Sequence, residues 1–302
     1  MIARTKTRAN GPEFSGLAYG TWRMLDRDSS AQEVNSRLNR CLDLGITTID
    51  TAEIYGGYAV EAALGAALAL SPGLREKVEI VTKSGIYIPH RTATGVRVGH
   101  YDASAARLVH SVDTSLRLLG TDRLDLFLVH RPDWLTHIDD TADGLNQLLG
   151  SGKIRSAGVS NYSASQFAAL DSRMDQKLVT NQVEFGLFHM NPIHDGVFDQ
   201  CQTCQIRPMG WSPFAGGRLF DLTNEAAARL AREAEILSPK YDNATLEQLA
   251  YAWVLAHPAG VLPIVGTNRI SRIESAAKAA TITLSREDWF ALWVAAKGHG
   301  IP

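Results

Sequence analysis

The sequence predicts an α/β fold: a (β/α)8 TIM barrel with an extra C-terminal helix and long loops at the C-terminal face. Three observations lead there. Strand-like and helix-like segments alternate along all 302 residues, the rhythm of βα units. The strand segments are nearly continuous apolar runs, as in a parallel sheet buried on both faces. Eight such units suit one closed barrel. A doubly wound dinucleotide-binding sheet would share the rhythm, but no G-x-G-x-x-G follows the first strand. No shift in composition marks a boundary, so one domain over residues 1–302 is expected.

A first strand is expected at residues 17–20. A helix at 31–44 follows, where Val34, Leu38, Cys41 and Leu42 keep helical spacing and Gly45 supplies the stop. "ITTID" is strand two, and "YAVEAALGAALAL" is a helix ended by Pro72-Gly73. "VEIVTK" is strand three, residues 104–119 a helix, and "LDLFLV" strand four. The second half continues with a helix at 142–149, "IRSAGVS", a helix at 164–170, "LVTNQV", "IRPMGW" and "LPIVG". Helices at 246–256 and 270–280 flank the last strand, and "LSREDWFALWVAAKG" is the extra helix, capped by Ser285. Two stretches, 84–102 and 213–239, are too long for plain connections and follow strands, where barrels build their sites.

Hydrophobic residues make up 45% and charged residues 21% of the chain, enough for a large core. The net charge of −2, without a basic block, disfavours nucleic acid and anionic membranes as partners. The polar start "MIARTKTRANGPEFSG" lacks the apolar stretch of a secretory signal, and no run spans a bilayer, so a cytoplasmic protein is expected. Three cysteines imply no disulfide framework. Cys201 and Cys204 form a CxxC without the strand-then-helix context of a redox site or the further ligands of a zinc site, and read as small residues on a helix. No metal is expected.

The chemistry concentrates in "TTIDTAEIYGG". Asp50 and Tyr55 lie there, Lys83 ends "VEIVTK", and His130 follows "LDLFLV". In a barrel these strand ends converge on one mouth. Carbonyl reduction needs a hydride donor and a proton for the developing alkoxide. A tyrosine can give the proton, and a neighbouring ammonium, Lys83, is expected to lower its pKa from about 10. Asp50 can hold Lys83 charged, and His130 can donate to the substrate oxygen. Each of the four alone has a duller reading as cap, rim, ion pair or satisfied core residue. Jointly, at one end of consecutive strands, they read as an active site.

Asp50, Tyr55, Lys83 and His130 in this order and spacing resemble the aldo-keto reductases. The resemblance runs from "GLAYGTW" to "LPIVGTNRISRIESA", with "DTAEIYG", "GKIRSAGVSNY", "TNQVEF" and "WSPFAGGRLF" in order. "HRPD" and "NQVEF" look most like the bacterial oxidoreductase branch of uncertain substrate. The resemblance implies reduction of an aldehyde or ketone by NADPH, with NADH less suited. It places Ser160, Asn161 and Gln182 on the nicotinamide carboxamide and Trp211 on the ring, where tyrosine is usual. Ser212, Phe214, Gly216, Gly217 and Arg218 fall in the pyrophosphate loop. Gly266, Thr267, Asn268 and Arg272 fall at the adenosine end, where Gly266 replaces a lysine of some members and Arg269 is a possible substitute. Trp22, Trp134 and Tyr87 are expected to line the substrate pocket. The partner is then a small carbonyl compound, and the chain a monomer or weak homo-oligomer. The competing reading is a nucleotide-binding sensor or regulatory subunit with little turnover, against which the intact tetrad argues. A Schiff-base aldolase built on Lys83 is disfavoured by the cofactor segments.

Overall fold

The computed structural model describes residues 2–9, 11–27, 29–91 and 95–301. Two short strands, β1 (Arg4–Lys6) and β2 (Glu13–Ser15), pair antiparallel at the start of the chain. The barrel strands follow: β3 (Ala18–Gly20), β4 (Thr48–Asp50) and β5 (Glu79–Ser84). A second hairpin, β6 (Ile86–Tyr87) with β7 (His100–Tyr101), rises from the loop after β5. Then come β8 (Leu126–Val129), β9 (Ala157–Ser160), β10 (Asn181–Glu184), β11 (Met209–Trp211) and β12 (Leu262–Val265). The eight barrel strands are parallel, and β12 closes on β3 through Ile264↔Ala18 and Val265↔Tyr19. The predicted barrel is therefore the observed fold.

Strand alternation divides the core in two. Val81, Leu126, Leu128, Met209, Leu262 and Ile264 fill the barrel interior, and Phe14 of β2 joins them from below. The alternate residues, such as Ile49, Ile80, Phe127 and Val159, face the helices. These are α1 (Ala31–Asp43), α2 (Val60–Ala69), α3 (Ala105–Leu119), α4 (Ile138–Gly150), α5 (Ala164–Arg173), α6 (Val197–Thr203), α7 (Glu225–Leu237), α8 (Leu246–Leu255), α9 (Ile270–Ala279) and α10 (Arg286–Lys297). Lys83 shares the inward parity of Val81, so it emerges at the top of the interior plug.

Local chemistry explains most boundaries. Ser30, Ser104, Ser163, Thr245 and Ser285 each accept a hydrogen bond from a first-turn amide, the N-cap that a hydroxyl offers. Gly120 and Gly298 end α3 and α10 in the left-handed region. Helix α4 begins at Ile138, before the predicted 142, because His137 caps it and Asp139 and Asp140 favour its positive end. Ile138, four residues before Ala142 and packed against the core, already belongs to the apolar stripe, so the predicted start fell one turn late. The extra helix is docked by a stacked Trp253–Trp289 pair, centroids 4.6 Å apart, in which each indole N–H donates to the other residue's carbonyl. Both polar tips are satisfied, so the pair can be buried at little cost.

Between α2, β5 and α3 lies a buried carboxylate. Glu61 accepts from Thr82 Oγ1 at 2.6 Å and from Ser115 Oγ at 3.0 Å. Burial pushes it up to about 7 against these two bonds. Cys41 and Cys201 are buried thiols, each pushed up to about 12 by burial, and Cys204 is a third free thiol at the end of α6.

Candidate active site

Asp50 is the last residue of β4, Lys83 lies near the end of β5, and His130 follows β8. Tyr55 comes back over them in the turn after β4, with its amide donating to Ala52 O at 3.1 Å and Glu53 N tied to Lys83 O at 3.0 Å. Gly56 lets this turn close: it has φ +55°, and a Cβ would stand 2.6 Å from Leu25 Cδ1. The four expected groups thus meet at the mouth.

Lys83 Nζ donates to Asp50 Oδ1 at 2.8 Å and to Thr51 O at 2.6 Å, and stands 5.0 Å from the centre of the Tyr55 ring. The Lys83 and Asp50 side chains are 1% and 3% exposed. Burial alone would lower the ammonium, but Asp50 and the Tyr55 hydroxyl together hold it above its usual value. Tyr55 departs from the sequence expectation. Enclosure of its hydroxyl raises it, and the charge of Asp50 adds to the rise, so the opposing pull of Lys83 does not prevail. The phenol is therefore protonated at neutral pH, the state a proton donor needs. Burial and the charges of Lys83 and Arg131 hold His130 well below the usual imidazole range, so it is neutral. Its ring lies 6.2 Å from that of Tyr55, edge to face.

Above this group the cavity, about 350 Å³, is lined by most of the other predicted residues. Ser160 Oγ donates to Gln182 O at 2.8 Å, and Asn161 Nδ2 donates to Ser160 Oγ at 2.7 Å. Gln182 Nε2 donates to Asp50 Oδ1 at 2.7 Å, which leaves its carbonyl oxygen for a ligand. Trp211 Nε1 donates to Asn161 Oδ1 at 3.1 Å and so sets the orientation of that amide. After Trp211 the chain turns sharply: Ser212 and Ala215 take positive φ, and Gly216 and Gly217 follow at +71° and +105°. No atom would stand within 4 Å of a Cβ on either glycine, so their backbone is open to a ligand. Phe214 packs on Tyr251 and Phe220. At the far end the cavity is bounded by Gly266, Thr267 and Arg272.

Several predicted residues stand differently. Arg218 does not line the cavity: its Nε donates to Ala215 O at 3.2 Å and its guanidinium lies over Phe188. Asn268 ties the loop after β12 to Arg23 O and Tyr19. Arg272 lines the cavity but is clasped by Glu247 at 2.9 and 3.2 Å, whereas Arg269 is exposed at the start of α9. Trp22 stacks on Tyr55 with centroids 5.7 Å apart. Trp134 is 82% exposed and meets Tyr101 edge-on, away from the cavity lining. Tyr87 is held in the β6–β7 hairpin between His100 and Arg107, the latter paired with Glu53 at 2.7 Å. Arg23, Arg131, Phe220, Glu247 and Tyr251 also line the cavity and were not singled out from the sequence. Arg131 had a signal, its position directly after His130. The others lie on elements whose convergence only the folded chain reveals.

A parallel eight-stranded barrel that gathers Asp50, Lys83, Tyr55 and His130 at its C-terminal mouth, beneath a cavity bounded by an open glycine loop, has the layout of a barrel enzyme with its site among the loops after the strands. The chain matches the aldo/keto reductase family over residues 16–294, and it belongs to that family. It is an enzyme, an NADP(H)-dependent oxidoreductase of the carbonyl-reducing kind. It is 43% identical over 302 residues to Oxidoreductase YdhF of Escherichia coli (strain K12), covering 100% of both chains. It is also 43% identical over 294 residues to the 6-dehydroglucose reductase of Agrobacterium fabrum, covering 96% of each. Among solved structures, an aldo/keto reductase from Klebsiella pneumoniae in complex with NADP and acetate is 30% identical, with TM-score 0.75, and the match covers 94% of this chain and 93% of that one.

Proposed function

We propose that this enzyme reduces an aldehyde or ketone to an alcohol with NADPH, and that Tyr55 supplies the proton. The observation that carries this reading is the relay beneath the cavity: a protonated Tyr55 beside the buried Lys83–Asp50 pair. The cofactor supplies the hydride. Hydride arriving at the carbonyl carbon would build negative charge on the oxygen, and Tyr55 and neutral His130, which both line the cavity, can donate to it. Lys83 favours the phenolate that forms once the proton has left, and Asp50 keeps Lys83 charged. These interactions strengthen as charge develops, which is what accelerates the step.

The remaining lining residues suit the dinucleotide. Ser160, Asn161 and the free oxygen of Gln182 can hold the carboxamide, and Trp211 can stack on the ring. The open backbone of Gly216 and Gly217, with Arg23 donating to Gly216 O at 3.2 Å, suits the pyrophosphate. Arg272 lines the far end of the cavity, paired with Glu247, and Arg269 begins the same helix; a cation there would favour a 2′-phosphate, which supports NADPH over NADH. Since two relatives carry the name 6-dehydroglucose reductase, a sugar aldehyde belongs first on the substrate panel.

The test is titration of NADPH and NADH into wild type and Tyr55→Phe, followed by an aldehyde panel read by loss of reduced-nicotinamide absorbance. NADPH binds both proteins, and Tyr55→Phe loses about 10²–10⁴-fold in turnover. A variant that turns over like wild type would remove Tyr55 from its role. Tight nucleotide binding without turnover of any carbonyl would favour the sensor reading instead.

A further inference from the structure

We infer that Arg131 is the specificity-determining residue of this site, and that it selects carbonyl substrates bearing a second, negatively charged group. This rests on the carbonyl-reductase reading of the same cavity. The argument begins from the cations around the cavity. Lys83 is paired with Asp50, Arg272 with Glu247, and Arg23 donates to Gly216 O. Arg131 alone of these has no hydrogen bond or ion pair among the described residues. Its guanidinium lies over the face of Trp211, 5.8 Å from the ring centre.

The guanidinium is half-buried, and none of its five donors meets another described residue. Its place says what could use them. It directly follows His130, and its charge is felt at both His130 and Tyr55, so it stands at the carbonyl end of the cavity. The glycine loop and Arg272 line other parts of the wall and can serve the cofactor's phosphates. An anion on the substrate, distal to the reacting carbonyl, fits what is left. A carboxylate is the simplest such group, since guanidinium binds it through two parallel hydrogen bonds. The flat face of Trp211 keeps the fork from folding away, as stacking on an aromatic does.

The test compares two matched pairs of aldehydes with NADPH: 4-formylbenzoate against its methyl ester, and 4-oxobutanoate against its methyl ester. The pairs differ in the spacing of carbonyl and charge. Wild type prefers the carboxylate in at least one pair by about tenfold in kcat/KM, the size of a charge-assisted bond. Arg131→Met abolishes that preference, the loss falling on KM of the carboxylate. Arg131→Lys keeps the charge without the fork and retains part of the preference, which separates recognition from folding. NADPH affinity is measured in the same variants, and a fall matching the fall in kcat/KM would make Arg131 a cofactor residue and overturn the assignment. Equal turnover of acid and ester by wild type, or a preference that survives Arg131→Met, would also overturn it while leaving the reductase reading in place. Failure of wild type to oxidise NADPH with any of the four compounds would count against the reductase reading itself.

Discussion

Lys83→Met tests the centre of the site most directly. In the wild type the Asp50 carboxylate has two donors, Lys83 at 2.8 Å and Gln182 at 2.7 Å, and almost no contact with solvent. Deleting the ammonium leaves a buried carboxylate held by one neutral amide. Breaking a buried pair from one side destabilises by about 3–5 kcal/mol. Asp50→Asn alone strands the ammonium on Thr51 O and Tyr55. In the double variant Asp50→Asn/Lys83→Met no charge remains uncompensated. The two losses therefore do not add, and a double-mutant cycle in urea yields a coupling of about 2–3 kcal/mol. Turnover stays low in all three, because the relay is broken in each. Purely additive losses, with coupling below about 0.5 kcal/mol, would refute the premise that the two charges are each other's main compensation.

Three other outcomes follow from packing and charge. Glu61→Gln changes the pH dependence of stability: the wild-type group resists ionising in the fold, so from about pH 4.5 to its folded value of about 7 the unfolded chain holds fewer protons and stability falls. The variant loses that decline and becomes the more stable protein above pH 7, which urea midpoints across pH will register; an unchanged slope would mean that Glu61 ionises freely. Gly65→Ala places a Cβ 2.2 Å from Leu118 O, a backbone atom of α3 that cannot step aside. It costs about 1–3 kcal/mol despite alanine's better helix propensity, and an unchanged urea midpoint would show the contact to be slack. Glu247→Gln releases Arg272, so NADPH binds about fivefold tighter, roughly 1 kcal/mol, while NADH barely changes; weaker NADPH binding would mean that Glu247 orients Arg272 for the phosphate.

The barrel was legible because burial on both faces of a parallel sheet leaves apolar runs, and an Asp, Lys or His at the end of such a run is conspicuous. Asp50, Lys83 and His130 could be located that way, their expected roles followed from their chemistry, and the resemblance supplied the cofactor contacts. What could not be read were relations between side chains far apart in sequence. The Gln182–Asp50 bond spans 132 residues and joins an amide assigned to the cofactor to the proton relay. The direction of the Tyr55 shift depends on how fully its hydroxyl is enclosed, which outweighs the neighbouring ammonium. Arg218 and Asn268 looked available from their positions in motifs, yet Arg218 lies over Phe188 outside the cavity lining and both polar atoms of Asn268 have partners within the protein. The β1–β2 hairpin left no pattern because three-residue strands are too short for alternation to register.

That hairpin has a consequence for traffic. Arg4 of β1 is pinned to Glu79 at 2.8 Å, and Phe14 of β2 is driven up into the barrel interior beneath Val81, Leu126 and Met209. Lys83 therefore stands on an apolar layer, with the cavity of the mouth on its other side. Under the proposed reaction, nucleotide and carbonyl occupying that mouth would shut Tyr55 and the Lys83–Asp50 pair off from solvent, so Tyr55 would regain its proton only after one of them leaves.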